Sequence, residues 1–223
     1  GDSSINSKIL DLSNIKKKIK ISKKKKEIRC SSNFSIKELL PIILKENLFL
    51  KVTSGTQYVT IGGAIASDIH GKNHHKDGSF CDHVNEIEIL LANGRTIKCS
   101  KNKNKKLFHS TCGGMGLTGI ILSAKIQLLD IPSNFIKETI IKSNSLKETI
   151  GYFNKYNYKK YIVSWIDTNA KNENLGRGII YIGEHTRQIN RNMSKSNMLK
   201  IPFNFPNFFL NNFLLKLLSK IYF

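Results

Sequence analysis

Val59-Thr60-Ile61-Gly62-Gly63-Ala64-Ile65-Ala66-Ser67-Asp68-Ile69-His70-Gly71-Lys72-Asn73-His74-His75 is the stretch around which the chain is organised. An extended entry leads to two adjacent glycines, a run of small residues and a dense polar cluster. Glycine has no Cβ, so Gly62 and Gly63 let backbone approach a partner closely. Ala64, Ala66 and Ser67 keep the following turn slim. A slim turn rich in free N–H groups suits a phosphate or pyrophosphate. His70, Lys72, Asn73, His74 and His75 add donors and one fixed positive charge. Gly-Gly alone reads as a tight strand-to-helix turn with a solvated tail. The whole stretch reads as a ligand site.

Upstream, Lys16-Lys17-Lys18-Ile19-Lys20-Ile21-Ser22-Lys23-Lys24-Lys25-Lys26 is dense in charge. Its alternation around Ile19 and Ile21 has period two, the mark of a half-buried strand. The run reads first as a solvated hairpin and second as a contact for an anionic surface. Residues 9–12 and Ile15 read as short strand before it, and residues 27–31 as strand after it. Asn33 or Ser35 can cap a helix over residues 36–46 whose Ile36, Leu39, Leu40, Ile43 and Leu44 share a face. Pro41 predicts an early kink or a short first turn there. Residues 49–52 lead as strand into the glycine stretch.

Downstream, residues 76–79 read as a loop and residues 86–91 as a strand. Asn93-Gly94 is a strong hairpin signal, with the return through residues 95–99. Leu107 and Phe108 open a short helix. Residues 111–119 form a second glycine-rich turn about fifty residues after the first. A long strand over residues 120–129 follows. From Asn134 the texture changes to strand 136–141, helix 146–153 and strands 161–165 and 175–181, the rhythm of a small α+β layer. Residues 201–223 are aromatic and aliphatic with few acids. They read as a core segment, or as a membrane-surface helix with Lys216 and Lys220 on one side.

The formal net charge of +20 over 223 residues invites nucleic acid or an anionic membrane as partner. Lys dominates over Arg, however, and no base-reading or stacking motif interleaves it, so nucleic acid is not expected. Cys30, Cys81, Cys99 and Cys112 lack metal-ligand spacing, so no metal is expected, and scattered single cysteines suit a reducing cytosol. No run of about eighteen apolar residues exists to span a membrane. The start at Gly1, with neither Met nor a signal-peptide pattern, leads us to expect a fragment or processed chain.

With Thr53-Ser54-Gly55-Thr56 before it, the quoted stretch resembles the flavin-binding segment of the vanillyl-alcohol-oxidase (PCMH-type) family of FAD-linked oxidases. Within that family it most resembles the branch that oxidises decaprenylphosphoryl-β-D-ribose. His70-Gly71-Lys72-Asn73-His74-His75 is the specific part, since a bare His-Gly pair is shared with aldonolactone and alditol oxidases. Gly1-Asp2-Ser3 resembles the tail of a first phosphate loop. Gly55, Thr60-Ile61-Gly62-Gly63 and His70-Gly71-Lys72-Asn73 match flavin-contacting segments. Gly116-Leu117-Thr118-Gly119-Ile120-Ile121 matches another, with Gly116, Thr118 and Ile121 as contacts. Trp165, Asp167 and Leu175-Gly176-Arg177 resemble the start of a substrate domain, and Phe205-Pro206-Asn207 a segment further into it.

The resemblance implies an α+β fold. An N-terminally incomplete PCMH-type FAD-binding domain of two α/β subdomains would fill residues 1–132. The beginning of a substrate domain would fill residues 133–223. It implies FAD as cofactor and hydride transfer from a sugar carbinol to the flavin, in arabinose supply for the cell envelope. Both glycine turns would face one extended cofactor. Lys72 would donate to flavin or substrate phosphate, and His70 would orient either. The implied partners are a lipid-linked sugar phosphate, a keto-sugar reductase or epimerase, and the cytoplasmic inner face of the cell membrane by peripheral contact. An aldonolactone or alditol oxidase of the same fold is the near alternative. A basic nucleic-acid-binding module or a non-catalytic fragment is the distant one.

Overall fold

The computed structural model describes residues 10–187 and 211–223. The fold is α+β, and the chain divides after Asn134 into two compact units.

The first unit is built on one long strand. β6 (Ile120–Asp130) pairs antiparallel with β2 (Glu27–Ser31), with β4 (Val84–Leu90) and with the short β3 (Leu48–Leu50). β1 (Ile19–Ser22) extends the sheet beyond β2, and β5 (Thr96–Cys99) extends it beyond β4. The lysine run is therefore the hairpin its alternation suggests, with Ile21 opposite Ile28. Asn93-Gly94 turns the β4–β5 hairpin as expected.

One face of the sheet is apolar. Ile28, Cys30, Ile87, Ile89, Ala124 and Ile126 lie on it, all but excluded from water. α1 (Ile36–Leu44) contributes Ile36, Leu39 and Ile43 to the same core. Each such side chain is worth roughly 1.5–3 kcal/mol of burial. The other face carries cross-strand polar pairs, Arg29 to Glu86 at 2.5 Å and Ser123 to Glu88 at 2.9 Å. Exposed pairs contribute about 0–1 kcal/mol each, so the apolar face decides the fold.

Ser35, rather than Asn33, caps α1. Its hydroxyl accepts the Glu38 N–H, and the Glu38 carboxylate accepts the Ser35 N–H at 2.9 Å. The helix runs continuously through Pro41. Residues 10–17 form an irregular loop instead of the expected strand. Asp11 accepts the Ser13 N–H at 2.8 Å, and that local bond competes with pairing.

The second unit is a three-stranded antiparallel sheet in the order β7 (Phe135–Ser143), β9 (Gly178–Thr186), β8 (Tyr161–Ile166). α5 (Leu146–Lys155) is capped by Ser145 and packs Tyr152 and Phe153 against Ile162, Ile180 and Ile182. α6 (Asn212–Tyr222) brings Tyr222 to 4.8 Å from Trp165, ring to ring. Its Leu215, Leu218 and Ile221 are exposed. The side chains of Lys216 and Lys220, and the segment around Phe205-Pro206-Asn207, lie outside the described residues. No helix of the described residues is long and apolar enough to cross a membrane.

Candidate functional site

The quoted stretch is not a loop of free N–H groups. Thr60, in extended conformation, caps α2 (Ile61–Ala66), so both glycines are helical. Ile61 N–H donates to Phe34 O at 2.8 Å, and Gly62 N–H to Ser32 O at 2.8 Å. Gly63 N–H donates to the Thr60 hydroxyl at 3.1 Å. The exit of β2 and the Thr60 cap thus consume the donors that the sequence assigned to a phosphate. Gly62 is tightly packed for a different reason: a Cβ there would stand 3.1 Å from the Ser32 Cβ.

The C-terminal end of α2 fixes the second glycine turn. Gly113 N–H donates to Ile65 O at 3.0 Å and Met115 N–H to Ala66 O at 2.8 Å. The turn follows α4 (Lys105–Thr111) and delivers the chain into β6. At its end Gly119 has φ 143°, and a Cβ there would meet Leu90 O at 2.4 Å. Then β6 carries a bulge, because Glu88 faces Ser123 while Ile89 faces Ile121. The skipped Leu122 turns its carbonyl to the Ser32 N–H at 2.9 Å. The bulge puts Ile121 on the same face as Ala124, three residues on.

Both turns line one cleft of about 560 Å³. Thr60, Gly62, Gly63, Gly116 and Ile121 meet there. So do residues not named as contacts from the sequence: Ser32, Asn33, Asp11, Ser13 and Lys17, with Met115 and Gly119 of the second glycine turn. Asn33 is the informative one. Its Nδ2 donates to Leu12 O and Ile15 O, both at 2.9 Å, which ties loop 10–17 along the cleft. That leaves Asn33 Oδ1 buried and without a partner among the described residues. Its only sequence signal was a polar residue before a helix, which reads as a cap. Asp11, also in the cleft, is held below the usual carboxylate range by the Ser13 N–H and hydroxyl.

The other expected contacts are placed elsewhere. Ile61 is wholly buried in the core, and Gly55 is exposed. Thr118 lines a separate hollow beside α4, with its hydroxyl 3.0 Å from that of Thr111. His70 and Lys72 are exposed, and the His70 ring lies edge-on to His74 at 5.6 Å. Residues 74–77 form the short helix α3 (His74–Asp77), which takes in the first two residues of the loop expected over 76–79. Asn73 braces it from within: its buried amide donates to Lys51 O at 2.7 Å and to Asp77 Oδ2 at 2.5 Å. Gly71 is half-buried beside it. None of residues 70–73 lines the cleft. Gly1, Asp2 and Ser3 lie outside the described residues.

A second cleft of about 640 Å³ lies on the polar face of the sheet and shares Leu12, Ser32 and Asn33 with the first. Lys16, Lys18, Lys20, Arg29 and Lys98 surround it, with Glu88. Among the described residues no cluster of His, Cys, Asp and Glu is arranged to hold a metal ion.

Residues 1–100 match the FAD-binding domain family. These residues form an FAD-binding domain, and its cofactor is FAD. It is 36% identical over 191 residues to decaprenylphosphoryl-beta-D-ribose oxidase of Mycolicibacterium smegmatis, covering 80% of this chain and 42% of that protein. An uncharacterised protein in the mprA 5′ region of Streptomyces coelicolor is 30% identical over 152 residues, 68% of this chain and 41% of that one. L-gulonolactone oxidase of Bos taurus is 29% identical over 132 residues, 59% of this chain and 29% of that one. The chain thus spans less than half the length of these relatives. The cleft fits the cofactor on its own observations. Two glycine-bearing elements form its walls, and Asn33, which lines it, keeps an acceptor Oδ1 that no donor among the described residues satisfies.

Proposed function

We propose that the chain is the cofactor-binding part of an FAD-dependent oxidoreductase acting on the 2′-hydroxyl of a polyprenylphosphoryl-β-D-ribose. The observation that carries this reading is the convergence of both glycine turns on one cleft, in a chain 36% identical to a decaprenylphosphoryl-ribose oxidase. FAD, when bound, supplies the hydride acceptor. The chain's own residues hold and orient it. Gly62 and Gly63 line it, Gly116 gives close approach because a Cβ there would meet nothing, Asn33 Oδ1 accepts a hydrogen bond, and Ile121 presents an apolar wall. The sugar carbinol loses a hydride and a proton and becomes a ketone. A keto-sugar reductase then consumes that product on the way to arabinose for the cell envelope. The basic cleft supports a lipid-phosphate substrate and peripheral contact with an anionic leaflet at the cytoplasmic face. His70 and Lys72, exposed on the unit's surface, are proposed to position substrate or flavin once the rest of the site is present.

The test begins with the purified chain mixed with FAD and passed through gel filtration. The expected result is a flavin spectrum that travels with the protein and that Gly63→Leu, which fills the cleft wall, removes. A colourless wild-type chain, with a colourless longer protein of its relatives' length, overturns the cofactor site. Turnover of polyprenylphosphoribose is then compared with that of L-gulonolactone. A preference for the lipid-linked sugar of about tenfold or more is expected, as for a site that hydrogen-bonds its substrate. A preference for the soluble lactone overturns the substrate assignment and favours the aldonolactone oxidase reading.

A further inference from the structure

The polar face of the first unit's sheet carries one continuous cross-strand row. Lys18 leads into β1 and faces Ser31 of β2, whose N–H donates to Lys18 O at 2.9 Å. Ser31 stands opposite Ser123 of β6, Ser123 opposite Glu88 of β4, and Glu88 opposite Lys98 of β5. Residues opposed across strands share a face of the sheet. The row therefore has an ammonium at each end, with two hydroxyls and a carboxylate between them. The Ser123 hydroxyl donates to Glu88 Oε2 at 2.9 Å and fixes that carboxylate. Every member of the row lines the basic cleft of about 640 Å³.

The cations around this cleft are unequal. Arg29 is held by Glu86 at 2.5 Å, and Lys125, its neighbour on β6, lies 3.8 Å from Glu27. Lys17, on the other side of loop 10–17, is paired with Glu38. Lys16, Lys18, Lys20 and Lys98 are exposed, and among the described residues none of them forms an ion pair. Lys18 and Lys20 are two apart on extended chain, so they project to the same side. Lys20 stands opposite Arg29, and Arg29 opposite Lys125, an opposition of like charges that an anion relieves. Concave walls focus such an excess of charge on a ligand. An ammonium is a point charge that suits a phosphate oxygen. The hydroxyls and carboxylate of the floor suit the hydroxyls of a polyol.

We propose that the basic cleft is a binding site for a sugar phosphate. Lys16, Lys18 and Lys20 hold the phosphate at the β1 edge, and Ser31, Ser123 and Glu88 lie under the sugar hydroxyls. Arg29 stays with Glu86 and shapes the floor. The cleft meets the cofactor cleft at Leu12, Ser32 and Asn33, so its ligand lies beside the flavin site. The site itself rests on the charges and register of this sheet and holds whether or not the first cleft carries flavin. Its class of ligand includes the ribosyl phosphate of the lipid-linked substrate, and only the identity of the natural ligand rests on the function proposed above.

The test titrates the full chain with ribose 5-phosphate, inorganic phosphate and ribose by calorimetry, with and without FAD. Ribose 5-phosphate is expected to bind more tightly than either of the others. Lys18→Gln with Lys20→Gln, checked for native circular dichroism, is expected to weaken it at least tenfold. Lys24→Gln with Lys25→Gln removes the same charge from the β1–β2 turn, outside the cleft, and is expected to change it less than twofold. Equal losses in the two double variants report net charge alone and overturn the site. Equal affinity for inorganic phosphate and ribose 5-phosphate overturns the sugar. Competition by FAD assigns the lysines to the cofactor's own phosphates and overturns a separate site. A chain that takes ribose 5-phosphate but no FAD keeps this site while the cofactor cleft falls. Displacement of bound ribose 5-phosphate by polyprenylphosphoribose supports the lipid-linked source, and its failure supports a soluble sugar phosphate. Displacement by phosphatidylglycerol vesicles, which carry no sugar, assigns the lysines to a lipid surface and overturns the proposal.

Discussion

At the scale of single residues, the side chains that matter most are those whose partners lie far away in sequence. Asp167 is buried and yet charged. Burial works against its carboxylate, but hydrogen bonds from Arg177 at 2.8 and 3.0 Å and from the Asn169 N–H hold it below the usual range. Arg177→Met leaves that charge buried without its partner, so a loss of about 3–5 kcal/mol is expected. Chemical denaturation followed by fluorescence of Trp165, the chain's one tryptophan, checks it. Asp167→Asn with Arg177→Met is expected to recover part of the loss, because no bare charge remains. Glu38 is the exposed counterpart. The Lys17 ammonium first, and Ser35 second, bring it from 4.5 to about 2. A depressed acid stabilises the fold above its unfolded value and loses that contribution as pH falls through its folded value. Glu38→Gln is therefore expected to cost about 0.5–1 kcal/mol at neutral pH, exposure being discounted. The gap between variant and wild-type melting temperatures closes between pH 4.5 and about 2. Residue roles of this kind were only half legible. Ser35 and Glu38 stand three apart and announce a capping box. Asn33, the orphaned acceptor of the cleft, has partners near Leu12 and Ile15 that no local pattern reveals.

At the scale of elements, the strands and hairpins were legible because alternation and turn chemistry are local. β1, β2, β4, β5 and β6 follow from their patterns, and Asn93-Gly94 sets one register. α2 was not legible as a helix, since adjacent glycines cost about 1 kcal/mol each in a helix interior. It forms because Thr60 caps it, and because Ser32 O and Phe34 O accept its first donors, both tertiary events. The bulge at Leu122 was equally hidden, as it depends on the partner strand. The second glycine turn is where these elements lock together, and Gly119 is its critical point. Gly119→Ala places a Cβ 2.4 Å from the Leu90 carbonyl at φ 143°, so the entry of β6 must shift. A cost of about 1–3 kcal/mol is expected from strain and overpacking. The same shift moves Ile121 and Gly116, so FAD retention on gel filtration is expected to fall along with the melting temperature. A variant that melts lower but retains FAD as wild type does would separate the turn from the cofactor.

At the scale of the whole molecule, the site belongs to one of the two units. Every residue that lines the cleft falls between Leu10 and Ile121, and each unit has an apolar cluster of its own. The expected resemblance placed His70 to Asn73 at the cofactor, yet the first unit presents them on its surface or, for Asn73, inside a brace. The cleft itself makes a sharper statement about energy. A ligand that binds only the folded first unit stabilises that unit by about 2.7 kcal/mol at a free concentration one hundred times its dissociation constant. Trp165 sits in β8 of the second unit and reports on that unit, while bound flavin reports on the first. Thermal melts at rising FAD concentration are therefore expected to move the flavin-release midpoint upward and leave the Trp165 midpoint in place. If both midpoints climb together, the two units unfold as one cooperative body, and the energy of the cleft is shared across the chain. If neither moves, the convergence of the two glycine turns is architecture for packing rather than for FAD.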